Sequence, residues 1–159
     1  GKGTSFEGGM RVPTIISGPD IYNGVISELG VQTDLFNTIL DLAKLEPRLH
    51  LKNSFNLASV VRNKNKSPRD FVPFFVGSEL RAFRLNDYKI HFVTQGAFGN
   101  PPARKVHSPP LVFNLLENIG EDSSKKIEDP EIINRLSNAT QNFERSIVKS
   151  KSIFDSQYE

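Results

Sequence analysis

Cysteine and tryptophan are both absent from the 159 residues, and neither sign of charge dominates. Without a thiol the chain can form no disulfide, no thiolate metal site and no cysteine nucleophile of its own, although that absence identifies no compartment. Lys and Arg number 20 against 18 Asp and Glu, a net +2, so there is no broad field to hold nucleic acid or an anionic membrane. The one dense basic run, RNKNKSPR from Arg62 to Arg69, has no aromatic interleaved and reads as a solvated connection. No apolar run approaches the roughly 20 residues of a membrane span. Beginning at GKGT with no initiator methionine and no signal peptide, the chain is expected to be a piece of a longer protein, so a missing leader does not bear on secretion.

What is present favours a packed protein. Hydrophobic residues make up 37% and there are 12 Phe, enough to build a core. VPTIISGPD, Val12 to Asp20, is a β-branched run closed by Gly18 and Pro19, and it predicts a buried strand at Val12 to Ser17. TDLFNTILDLAKLEP, Thr33 to Pro47, predicts a helix whose apolar face holds Leu35, Phe36, Ile39, Leu40, Leu42 and Ala43, with Pro47 as its stop. With no further parallel strand in view, this pair looks like the edge of a larger α/β sheet. Beyond the basic run the pattern turns antiparallel. DFVPFFVG predicts a strand over Asp70 to Gly77, and Glu79 to Gly96 predicts a hairpin turning at Asn86 and Asp87. Period two puts Tyr88, Ile90 and Phe92 on the core face and Lys89 and His91 on the other. PLVFNLL supplies a fourth strand, followed by the polar turn ENIGED. Asp129 as N-cap and Pro130 at the first position open a helix running to about Lys151, with Ile132, Leu136, Phe143 and Ile147 in one stripe. The tail after Ser152 has no pattern.

The opening stretch GKGTSFEGGMRVP carries four glycines and one early lysine, Lys2. Glycines let backbone amides approach a ligand closely, so the loop could cradle an anion; read by spacing alone, it is a surface turn into the following strand. The nucleotide phosphate loop G-x-x-x-x-G-K-[ST] does not fit, because Lys2 is followed by Gly3 and no strand precedes it. His50, His91 and His107 stand 41 and 16 residues apart, which is no local metal-ligand spacing.

Four segments in order, GKGTSFEGGMRVP, DLFNTILDLA, YKIHFVTQG and HSPPLVFNLLENIGED, over residues 1 to about 122, resemble the C-terminal part of a sulfatase of the arylsulfatase A type. The resemblance implies an α/β, alkaline phosphatase-like sulfatase fold. Residues 1–61 would end the large α/β domain, 62–70 form a basic linker, 71–151 a small subdomain of four antiparallel strands under a C-terminal helix, and 152–159 a candidate disordered tail. It implies sulfate ester hydrolysis by the full-length protein, with formylglycine as nucleophile and calcium as metal. Lys2 would touch the substrate sulfate, with Glu7, Gly8, Gly9 and Arg11 as scaffold. His107 matches a histidine at the pocket mouth, while His91 is assigned to the sheet and His50 to a loop. No C-x-P-x-R or S-x-P-x-R motif occurs here, and the metal ligands would lie upstream, so the isolated segment is expected to bind neither group and to be inactive.

Two departures from the family pattern concern turns: Asn37 stands where proline often opens the helix, and Asn53 and Ser54 replace an Asp-Gly pair. Asn138, Ala139 and Thr140 form an N-glycosylation sequon, usable if the parent is lysosomal or secreted, as the resemblance implies. The expected partners are a sulfate ester and the N-terminal part of the same sulfatase, with homo-oligomerisation open and no nucleic acid. A non-catalytic binding or structural module derived from a sulfatase is the alternative, and a phosphatase or phosphodiesterase of the same superfamily is a third reading.

Overall fold

A computed structural model describes residues 1–46, 51 and 53–147. His50, the positions after 147 into which the last helix is expected to run, and the tail lie outside the described residues. In chain order the elements are α1 (Glu7–Met10), α2 (Asp34–Leu42), α3 (Ala58–Asn63), β1 (Phe71–Val76), β2 (Glu79–Leu85), β3 (Tyr88–Thr94), β4 (Lys105–Asn114) and α4 (Pro130–Ser146).

The four strands form one antiparallel sheet in the order β1-β2-β3-β4. Its first hairpin turns at Gly77 and Ser78, and the second at Asn86 and Asp87, with Asn86 in the left-handed region that asparagine tolerates (φ 51°). Strand alternation then sorts the side chains. Phe83 stands opposite Ile90, and Ile90 opposite Val112, so three apolar residues line up across neighbouring strands. Leu136 of α4 closes this row into a buried core, flanked by Tyr88, Phe92, Ile132 and Phe143. Phe143 also packs against Phe71, Phe75 and Phe83, with ring centroids 5.5 to 6.3 Å apart. α4 begins as expected: the Asp129 carboxylate accepts the Glu131 N–H at 2.8 Å, and Pro130 occupies a position whose amide needs no partner. It ends at Ser146, where the backbone of Ile147 turns extended. β4 starts at Lys105, several residues before PLVFNLL, because Val106 and Lys105 still pair with Val93 and Thr94.

Three expectations are corrected. Val12 to Ser17 is not a strand: Val12 is 71% and Ile15 94% exposed, and no described strand lies beside them to complete a ladder. α2 forms, but its buried residues are Asp34 and Thr38 rather than its apolar stripe, and Phe36 and Ile39 are exposed. The basic run is not wholly solvated. Arg69 is buried and grips Asp34 through Nε (2.7 Å) and Nη2 (2.6 Å), while Arg62 sits in α3 and pairs with Asp41 at 3.2 Å. Asp34 also accepts the amides of Val31 and Phe55 at 2.9 and 2.8 Å, so this carboxylate ties α2, the 53–57 segment and the entry to β1 together. Asn37 lies inside α2 and donates to the Ser54 carbonyl at 2.9 Å, which connects the two departures from the family pattern.

Candidate active-site segment

Residues 1–10 fold back on themselves instead of forming an open turn. The Thr4 hydroxyl donates to the Gly1 carbonyl at 2.8 Å, and the Gly9 amide to the Phe6 carbonyl at 2.8 Å. A Cβ on Gly9 would overlap the carbonyl oxygens of Gly1 and Thr4, so only glycine allows this closure. Gly3 has φ 88°, and a Cβ there would press on Ala97 and the ring of Phe98 at 3.0 and 3.2 Å. The loop is therefore seated against the turn that follows β3.

Its anchor is a buried set of charges on the sheet face opposite α4. Glu7 Oε1 accepts from Lys89 Nζ at 2.9 Å, and its other oxygen lies 3.4 Å from Arg84. The backbone N–H of Glu7 donates to Glu121 Oε2 at 2.5 Å. Glu121 Oε1 meets His91 Nε2 at 2.7 Å and Lys89 Nζ at 3.4 Å. Ser5 Oγ lies 3.5 Å from His91 Nδ1, and the Phe6 ring packs on the imidazole at a tilt of 32°, with ring centroids 4.7 Å apart. Lys89 and His91 are both fully buried, and the Lys89 ammonium also rests over the Phe74 ring at 4.2 Å.

The protonation states follow from these contacts. Burial pushes the His91 imidazole below its ordinary value, against the pull of the Glu121 carboxylate, so the ring is neutral. Burial raises Glu121, but the His91 hydrogen bond, the Lys89 charge and the Glu7 amide outweigh it and hold the carboxyl low and ionised. A neutral His91 carrying its proton on Nε2 donates to Glu121 and leaves Nδ1 to accept from Ser5.

Lys2 projects from the anchored loop, exposed and with no ion pair among the described residues. His107 is half-buried on β4, its Nε2 sharing a 2.8 Å hydrogen bond with Thr94 Oγ1, and burial followed by the Lys105 charge pushes it below its ordinary value. No hydrogen bond or ion pair joins Lys2 to His107. What relates them is β3, which seats the lysine loop through His91 and holds His107 through Thr94. Asn138 is exposed on α4, whose packed side covers the opposite face of the sheet, and the Thr140 hydroxyl of the sequon is buried against the Leu136 carbonyl at 2.8 Å. Period two had already turned Lys89 and His91 away from the core, but nothing local distinguishes a solvated Lys-x-His from one buried under a loop 80 residues upstream. Glu121, in the ENIGED turn, carries no sequence signal of its own.

A sheet under one helix, with a glycine loop pinned to the other face, is a mixed α/β arrangement, and comparison with known proteins defines its class. Residues 67–159 match the family described as the C-terminal region of aryl-sulfatase, and the chain belongs to that family. It is 36% identical over 141 residues to arylsulfatase A of Bos taurus and 34% identical over 139 residues to arylsulfatase A of Homo sapiens, each match covering 77% of this chain and 27% of the relative. A match to N-acetylgalactosamine-6-sulfatase of Sus scrofa is 39% identical over 97 residues, covering 59% of this chain and 18% of the relative. The chain thus spans about a quarter of the arylsulfatases A it matches. A solved sulfatase structure from Pseudoalteromonas sp. superimposes with a TM-score of 0.52 at 24% identity, covering 69% of this chain and 24% of that one, a likeness of fold.

Proposed function

We propose that this chain is the C-terminal segment of a sulfatase that hydrolyses sulfate esters, and that Lys2 contacts the substrate sulfate. The observation that carries the reading is the contrast within one loop: its backbone is pinned by buried charges, while the Lys2 ammonium is left exposed with no described carboxylate to neutralise it. A sulfate monoester is an anion, and cleavage of its sulfur–oxygen bond builds negative charge on the departing oxygen. A fixed ammonium beside that oxygen stabilises the transition state more than the ground state. His107, neutral and tethered to Thr94, is suited to a hydrogen bond with the ester rather than to a permanent charge.

Formylglycine and calcium, expected of the parent, are not accommodated by the residues present. The chain has no cysteine and no S-x-P-x-R motif, and among the described residues no group of three potential ligands converges on a metal position. Both groups belong to the remainder of the protein on this reading. The parent is a lysosomal or secreted enzyme, and the exposed Asn138 carries a glycan. A glycosidase-sensitive mass that disappears in Asn138→Gln checks the last point.

The test is kinetic. In the full-length enzyme Lys2→Ala lowers kcat and kcat/KM together, by about 10²-fold or more. Lys2→Arg does not restore the rate, because the planar guanidinium places its donors differently. A folded Lys2→Ala enzyme with near-normal kcat overturns the assignment.

A further inference from the structure

We infer that Glu7, Lys89, His91 and Glu121 form a positioning latch that holds the Lys2 loop at the angle and depth its contact with sulfate requires. The inference rests on the proposed role of Lys2 and goes beyond it, since none of the four touches the substrate. A lysine at the second residue of a glycine-rich loop has no rigidity of its own: the backbone around it is permissive and the side chain has four rotatable bonds. Rigidity must come from where the loop is fastened, and it is fastened at both levels of Glu7. The side chain of Glu7 is held by Lys89 from β3 and approached by Arg84 from β2, while its amide is held by Glu121 from the turn after β4. Lys89 joins the two carboxylates, 2.9 Å from one and 3.4 Å from the other, and His91 fixes Glu121 at 2.7 Å and meets Ser5 of the loop. Two strands and one turn thus converge on Ser5 and Glu7, close along the chain to the lysine. Two carboxylates balanced by Lys89 and Arg84 leave the cluster neutral overall when His91 is neutral, so it stays buried without a net charge.

The latch acts through Lys2, which makes it separable from a general contribution to folding. In the full-length enzyme Glu121→Gln keeps the shape of the side chain but sets an amide N–H against His91 or Glu7. It is expected to lower kcat about tenfold or more, as displacement of a positioned group does. Hydrogen exchange of the amides in residues 3–10 should rise, with the sheet unchanged. The combined Lys2→Ala, Glu121→Gln enzyme should be no slower than Lys2→Ala alone, because a latch has nothing left to position. His91→Leu, which removes the donor to Glu121 while keeping an apolar neighbour for Phe6, serves in the same cycle if Glu121→Gln yields too little folded enzyme. Multiplicative losses in the double variant, or unchanged exchange in residues 3–10, overturn the latch. Full activity in Lys2→Ala instead overturns the sulfate contact, and the exchange measurement still decides whether the loop is held.

Discussion

Arg69 and Asp34 show how much a single buried charge can be asked to organise. Their two parallel hydrogen bonds are supplemented by the amides of Val31 and Phe55 on the carboxylate and by the Asn53 carbonyl on the guanidinium, so every strong group has a partner. Removing one partner strands the other. Arg69→Met is expected to cost about 3–5 kcal/mol in urea unfolding, and Arg69→Lys to recover little of it because one ammonium cannot replace the fork. The double replacement of Asp34 and Arg69 by apolar residues should cost less than Arg69→Met alone; a larger loss would mean that the pair itself, not the orphaned charge, sets the penalty. Acidification probes the same scale. His91 is held below its ordinary value of about 6.5, so as pH falls through that value the unfolded chain takes up a proton that the folded chain refuses, and stability drops until the lower folded pKa is reached. Glu121 and Asp34 are also held low, which adds a second loss once pH falls below about 4. Urea midpoints should therefore be lower at pH 5.5 than at 7.5, with His91→Gln flattening that upper interval only. An unchanged slope in His91→Gln would place the titrating group elsewhere.

At the level of elements, two constructions divide the labour. α4 gives the sheet its core through Leu136, fully buried against Phe83, Ile90 and Val112, and truncating that side chain leaves a hole between helix and sheet. Leu136→Ala is expected to destabilise by about 2–5 kcal/mol, and Asp129→Ala, which removes the N-cap, by about 1 kcal/mol. The opening loop makes a different demand. Gly9 is closed upon by the loop's own carbonyls, whereas a Cβ on Gly8 would meet nothing nearer than the Gly1 nitrogen at 4.0 Å. Gly9→Ala should loosen the amides of residues 1–10 to exchange while Gly8→Ala does not. Equal effects of the two would mean that α1 is merely flexible glycine rather than a shaped loop.

Across the whole molecule, apolar surface is unevenly covered. Val12, Ile15 and Val25 are 71%, 94% and 81% exposed, and Phe36 and Ile39 lie open on α2, whereas β2, β3, β4 and α4 enclose a buried apolar core. Such a distribution supports the proposal that the first third packs on the remainder of a sulfatase. In the isolated 159-residue chain, amides of residues 12–30 should exchange fast and those of β2, β3 and α4 slowly. Comparable protection in both regions would argue that the first third needs no further sheet. The same chain should not turn over an aryl sulfate, having no cysteine and no S-x-P-x-R motif in its sequence and no cluster of metal ligands among the described residues.

Local pattern was sufficient for the second half of the fold. Alternation placed Tyr88, Ile90 and Phe92 toward one face, Asn86 and Asp87 marked the hairpin, and Asp129-Pro130 marked the start of α4, because each signal concerns residues within a few positions of one another. The resemblance carried by GKGTSFEGGMRVP and the later segments pointed to the family and to Lys2. The strand expected at Val12 to Ser17 failed for the opposite reason: β-propensity describes a chain that has a neighbour to pair with, and none is described. By itself, then, the sequence determined the sheet, its covering helix and the kinship with sulfatases. Only the tertiary structure decided that Arg69 reaches Asp34 and that Glu7, Lys89, His91 and Glu121 meet, since those pairs lie 30 to 114 residues apart and burial of a charge depends on what the fold brings to cover it.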